Sequence, residues 1–188
     1  MSVLDLPARP AGALTLLGGV AIAGLGLSGA ADPDVGSPWL LAAGLAAELL
    51  VAGVLALRRA ATGIRTARPA LAVAAVALAL FGLAHGFALV DPDRAVPLFT
   101  AFLLAVSAGL IVAGGPLARA RLWHGPRRFV PLLCGIWPVA TIPAGSALGD
   151  LTHFLAIAGW GLCWTALGAV LISDTSSARP ATHDVEKR

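Results

Sequence analysis

The chain has 188 residues, 58% of them hydrophobic and only 12% charged, with a mean hydropathy of +0.87. Soluble domains carry roughly a quarter charged residues, so this chain has too little polar surface to cover a globule in water, and its expected solvent is the lipid bilayer. The net charge of +3 and the pI near 9.7 do not argue for a nucleic-acid partner, because the basic residues sit at the ends of apolar runs, where membrane topology explains them.

Six apolar stretches follow one another: Ala11–Ala31, Pro38–Leu57, Ala70–Val90, Ala95–Gly115, Phe129–Gly149 and Leu151–Ile172. Each is about twenty residues long, and at ~1.5 Å per residue each spans ~30 Å, the hydrocarbon thickness of a bilayer. The first run is longer than the ~7–15 residues of a secretory signal, although Ser28-Gly29-Ala30 resembles a cleavage site; cleavage would leave five spans. The polar connections are short, and none is long enough for a folded domain. The sequence therefore reads as an all-α membrane protein. Residues 1–172 form a single domain of six transmembrane helices, taken as three antiparallel hairpins, and 173–188 form a disordered cytoplasmic tail.

The basic residues set the expected orientation. Twelve of the thirteen lie on one side: Arg9, the 58–69 connection with Arg58, Arg59, Arg65 and Arg68, the 116–128 connection with Arg119, Arg121, Arg127 and Arg128, and the tail. Arg94 alone lies on the other side, among Asp32, Asp34, Asp91, Asp93 and Asp150. Positive-inside bias then puts both termini in the cytoplasm. Twelve arginines against one lysine, with abundant Ala, Gly and Pro, suggest a bacterial source and hence the bacterial cytoplasmic membrane. The same arginines suit anionic lipid headgroups.

Arg9, Arg68 and Arg127 are 59 residues apart, as are Asp32, Asp91 and Asp150. Either a hairpin was triplicated, or three hairpins of equal span length simply place their end charges periodically. Ser107 and Ala166 stand where the period would repeat Glu48.

Glu48 is the only Asp, Glu, Lys or Arg inside any span. A carboxyl at mid-depth is costly, and such groups usually face a bundle interior or a wet cavity. It is a candidate for proton or cation handling, or else a hydrogen-bonded fastener between helices. His85 lies near the outer end of the third span, within Gly82-Leu83-Ala84-His85-Gly86, a small-xxx-small pattern that admits a close neighbour. It could pair with Glu48 as a relay or bond to a backbone carbonyl. His153 starts the sixth span, and two facing histidines at one depth would suit axial haem ligation. Dense metal-ligand spacing is missing, and neither metal nor cofactor is expected.

The fifth span contains Pro138 and Pro143, each of which frees a carbonyl four residues back. Trp39 and Trp123 sit at interfaces, where Trp is favoured. Trp137, Trp160 and Trp164 are deeper, and their N–H groups need acceptors, which the freed carbonyls near Cys134 and Val139 can supply. Trp137, Pro138, Pro143, Trp160 and Trp164 are thus candidates to line a small pocket, or else simply pack around a kink. Cys134 and Cys163 read as small apolar packers.

Without a nucleotide loop, catalytic triad, CxxC or zinc-protease helix, an enzyme is not expected. Three readings remain: a small-solute, proton or cation transporter or channel-like protein; a non-catalytic partner of another membrane protein or of a second copy, joined through small-residue helix faces; and, well behind, a haem or enzyme site at His85 and His153.

Overall fold

The computed structural model describes residues 8–34 and 36–177. Six α-helices run in order: α1 (Ala8–Ala31), α2 (Ser37–Ala60), α3 (Ala67–Phe87), α4 (Pro92–Arg119), α5 (Val130–Leu148) and α6 (Asp150–Ser177). A short 3-10 helix, Gly125–Phe129, precedes α5. All six helices are long and apolar enough to cross a membrane, the make-up of a multi-pass membrane protein.

The helices start and stop near the expected limits, with two differences. α4 and α6 each run for 28 residues, about 42 Å, and so exceed the thickness of a bilayer core. The first residues of the expected tail, up to Ser177, continue α6; the rest of the tail, with Arg179, Lys187 and Arg188, lies outside the described residues.

Each helix packs against its neighbours in the chain, and α1 also packs against α6, so the six close into a ring. Nothing sets three hairpins apart as separate units. The α1–α6 seam is the most extensive contact, and glycine explains it. Gly12, Gly19 and Gly26 recur every seven residues on α1 and face Gly168, Gly161 and Ala158 on α6. A Cβ on Gly12 would meet the Gly168 carbonyl oxygen at 3.0 Å, and one on Gly168 would meet the Gly12 oxygen at 2.7 Å. Lipid gives helices no hydrophobic reason to associate, so close van der Waals contact between backbones has to supply it. The α2–α3 contact uses the same device, with Gly44 and Gly82 each facing the other's carbonyl oxygen at about 3 Å.

The half of the bundle nearer the arginines is filled. Leu50, Leu57, Leu71, Leu110, Leu117 and Leu167 are fully buried there, with Leu78 and Trp164 fully buried at mid-depth. The outward faces carry Leu41, Leu45, Val73, Val76, Leu83 and Leu162, as contact with acyl chains requires. At the other end the turns are tight. Gly149, the single residue between α5 and α6, sits at φ 107°, a conformation that suits glycine alone. Asp91 caps α4 by accepting from the Arg94 N–H at 3.1 Å, and its carboxylate meets Arg94 Nε at 3.4 Å.

Candidate functional site

The half of the bundle at the aspartate-rich ends is hollow. It holds a partly open cavity of about 550 Å³, to which all six helices contribute. Ile22 and Leu25 come from the last turns of α1, and Trp39 and Ala43 from the first turns of α2. Phe81 and His85 project from the end of α3, and Phe99, Thr100 and Leu103 from the start of α4. α5 brings Pro138, Pro143 and Ser146, while α6 brings His153, Ile157 and Trp160. Among the described residues the lining contains no Asp, Glu, Lys or Arg.

Indole groups brace the walls. Trp39 Nε1 donates to the Leu25 carbonyl across α1 and α2 at 3.0 Å. Trp160 Nε1 donates to the Cys134 carbonyl across α5 and α6 at 3.0 Å. Cys134 lies four residues before Pro138, which has no N–H to give it, so the Trp160 indole takes the place of the missing helical bond. Trp160 also stacks edge-to-face on Phe81 at 6.0 Å.

His85 is 7% exposed and held between Phe81 and Phe99, with ring centroids 4.9 and 4.6 Å away. Its Nδ1 lies 2.9 Å from the Phe81 carbonyl one turn back. His153, on the opposite wall, has Nδ1 2.8 Å from Ser146 Oγ. The cavity thus joins the two imidazoles that the sequence singled out. They are the lining groups with a ring nitrogen to offer a metal ion or haem iron. No cluster of three or more His, Cys, Asp or Glu able to hold a metal ion occurs among the described residues.

Glu48 stands elsewhere. It is exposed on the outward face of α2, with its carboxyl against Gly82 of α3. It has no hydrogen bond or ion pair among the described residues, so the Glu48–His85 pair does not form. The reason is helical phase. His85 packs one turn higher, against Gly44, while Glu48 shares its face with Leu41, Leu45 and Ala52.

Of the five residues expected at a pocket, Pro138, Pro143 and Trp160 line the cavity. Trp137 and Trp164 do not. Trp137 lies at the α5–α6 contact, over Gly159, and donates to the Ala156 carbonyl at 2.9 Å. Trp164 is wholly buried at the middle of α6, and its Nε1 lacks a partner among the described residues. Cys134 and Cys163 are free and buried. Phe81, Phe99, Trp39, Thr100 and Ser146 line the cavity as well, although nothing in the span pattern marks them. Phe81 four residues before His85 was the available signal, because that spacing stacks them on one helix face.

Comparison with known protein families, curated proteins and solved structures finds no match.

Proposed function

We propose that this protein binds a small, neutral, mainly apolar solute in the cavity at the aspartate-rich end and acts as a carrier for it. The observation behind this reading is the cavity itself. Its volume of about 550 Å³ falls within the ~300–1,000 Å³ of small-molecule sites, which are mostly apolar with a few placed polar groups. Contributions from all six helices let a change in helix packing alter the site, as alternating access requires. The filled half beneath the cavity acts as a closed gate. We further propose that the arginine-rich end faces the cytoplasm of a bacterial cell, which puts the cavity mouth in the outer leaflet. Tags in the 58–69 and 88–91 segments should then label from opposite sides.

The test is saturable binding to the full chain in nanodiscs, read by tryptophan fluorescence, followed by solute flux in proteoliposomes. Filling the cavity by Leu103→Trp should abolish both. Binding that survives this substitution rejects the cavity as the site, and binding without flux rejects the carrier role.

A second reading rests on Glu48. A carboxyl on the lipid-facing surface is costly enough to favour a covering neighbour, so the α2 face with Leu41, Leu45 and Glu48 is a candidate contact with a second copy or another membrane protein. Cross-linking from Leu45→Cys in membranes tests it: a specific cross-linked species is required.

A further inference from the structure

The polar groups of the cavity wall are unusual in kind. Six lining side chains carry a hydrogen able to form a hydrogen bond: Trp39, His85, Thr100, Ser146, His153 and Trp160. Five of those hydrogens, all but that of His153, are committed to the protein in any arrangement. The two indoles donate to Leu25 and Cys134 carbonyls. Thr100 Oγ1 donates to the Val96 carbonyl at 3.3 Å, and Ser146 Oγ donates to the Ile142 carbonyl at 3.0 Å.

The His85 tautomer follows from its partner. The Phe81 carbonyl can only accept, so His85 Nδ1 carries the hydrogen. Ser146 Oγ lies 3.0 Å from the Ile142 carbonyl and 2.8 Å from His153 Nδ1; with its single hydrogen on Ile142 it accepts from His153 Nδ1–H. A neutral imidazole has one N–H. His85 is therefore left with a bare Nε2 lone pair, and so is His153 when the Ser146 hydrogen is on Ile142. Pro143 adds to the same bias, because it cannot donate to the carbonyl of Val139, itself a lining residue.

We infer that the ligand is a neutral apolar molecule with one or two hydroxyl donors, an alcohol or phenol, whose hydroxyls bond to Nε2 of His85 and His153. This rests on the solute-binding reading above and narrows it. Ketones, ethers and esters bring only acceptors and would set lone pair against lone pair. A carboxylate adds a charge with no partner in the wall. An ammonium does bring donors, but no anion among the described lining residues balances it, and Glu48 lies on the opposite face of α2. Sites built to hydrogen-bond a ligand hydroxyl discriminate sharply against analogues that lack it, because their own polar groups are left unpaired.

The test compares menthol, its methyl ether and menthone, which share one carbon skeleton. Binding to the full chain in nanodiscs is measured by tryptophan quenching and corrected for partition into empty discs. Menthol should bind at least about tenfold more tightly than the ether and the ketone, as expected for one hydrogen bond to a desolvated acceptor. His153→Phe, at a half-buried position that tolerates an aromatic ring, should cut that preference severalfold; His85→Phe should do the same if it folds. Equal saturable binding of all three overturns the hydroxyl inference and leaves the solute-binding reading standing, and a preference for menthone overturns it outright. Saturable binding of none, in a protein shown to be folded by circular dichroism, overturns both.

Discussion

The same six helices are packed by opposite rules at their two ends. Toward the arginines, Leu57, Leu71, Leu117 and Leu167 fill the space between helices and are completely buried. Toward the aspartates, the corresponding inward positions are Ala43, Thr100, Pro143 and Ser146, and the centre stays open. The difference lies in side-chain volume and in what holds the walls. In water an apolar hollow of this size would favour collapse. In lipid the surroundings are as apolar as leucine, so collapse gains little. Cross-wall bonds such as Trp39 to Leu25 and Trp160 to Cys134 tie neighbouring helices of the hollow half together.

The sharpest way to break this arrangement is to open the seam that closes the ring. Gly161→Leu would drive a side chain into the α1 backbone, where even a Cβ would sit 2.7 Å from the Gly19 carbonyl oxygen. Because backbone cannot yield as a side-chain tip can, the loss of stability should exceed about 3 kcal/mol. Reversible unfolding in mixed micelles measures it. Gly24→Ala is the control, with nothing within 4 Å of the added Cβ; it should be neutral or gain up to about 1 kcal/mol from helix propensity. Equal stability of the two variants would show that the seam does not hold the ring.

Next comes the contrast between the halves. Leu110→Ala removes a fully buried side chain from the filled half and should cost about 2–5 kcal/mol. Leu103→Ala, two turns nearer the aspartate end on the same helix, borders space that is already open and should cost under about 1 kcal/mol. The same unfolding measurement decides; equal costs would mean the cavity collapses once the protein is in lipid.

The features legible in the sequence were those carried by long runs or by simple chemistry. Six spans of about twenty apolar residues gave the helices, because length and hydropathy suffice in a bilayer. The pairing of proline-freed carbonyls with indole N–H groups was legible as well, since Pro138 leaves Cys134 short of a donor and Trp160 lies at similar depth. The facing of Glu48 was not. Its cost in lipid argued for an inward position, but a single residue carries no helical phase, and Gly44 and Gly82 set how α2 meets α3. Ring closure was also missed, although Gly12, Gly19 and Gly26, with Gly161 and Gly168, have the seven-residue spacing that could have revealed it. The 59-residue charge spacing drew attention to hairpins, whereas the tightest contact joins the first and last helices.

A smaller effect tests the bracing of the hollow half. Trp160→Phe keeps the ring but leaves the Cys134 carbonyl without a donor, at a cost of about 1–3 kcal/mol. Pro138→Ala would restore the helical N–H to that carbonyl. If the two donors compete for one oxygen, Trp160→Phe should cost about 1 kcal/mol less in the Pro138→Ala background, a coupling that a double-mutant cycle resolves. Additive costs would mean that the indole bond does not replace the bond removed by proline.

The smallest expected effect is at the residue that looked most functional. Glu48→Gln changes an exposed carboxyl on the outward face of α2, and should alter the stability of the single chain by less than about 0.5 kcal/mol. Menthol affinity should stay within about twofold, since Glu48 is absent from the cavity lining. A larger change in affinity would mean that the carboxyl reaches the cavity and that the separation between the hollow interior and the lipid-facing surface fails at α2. A change confined to cross-linking through Leu45→Cys would instead assign Glu48 to a contact between chains, where a neighbouring helix can satisfy in lipid the carboxyl that this bundle leaves unpaired.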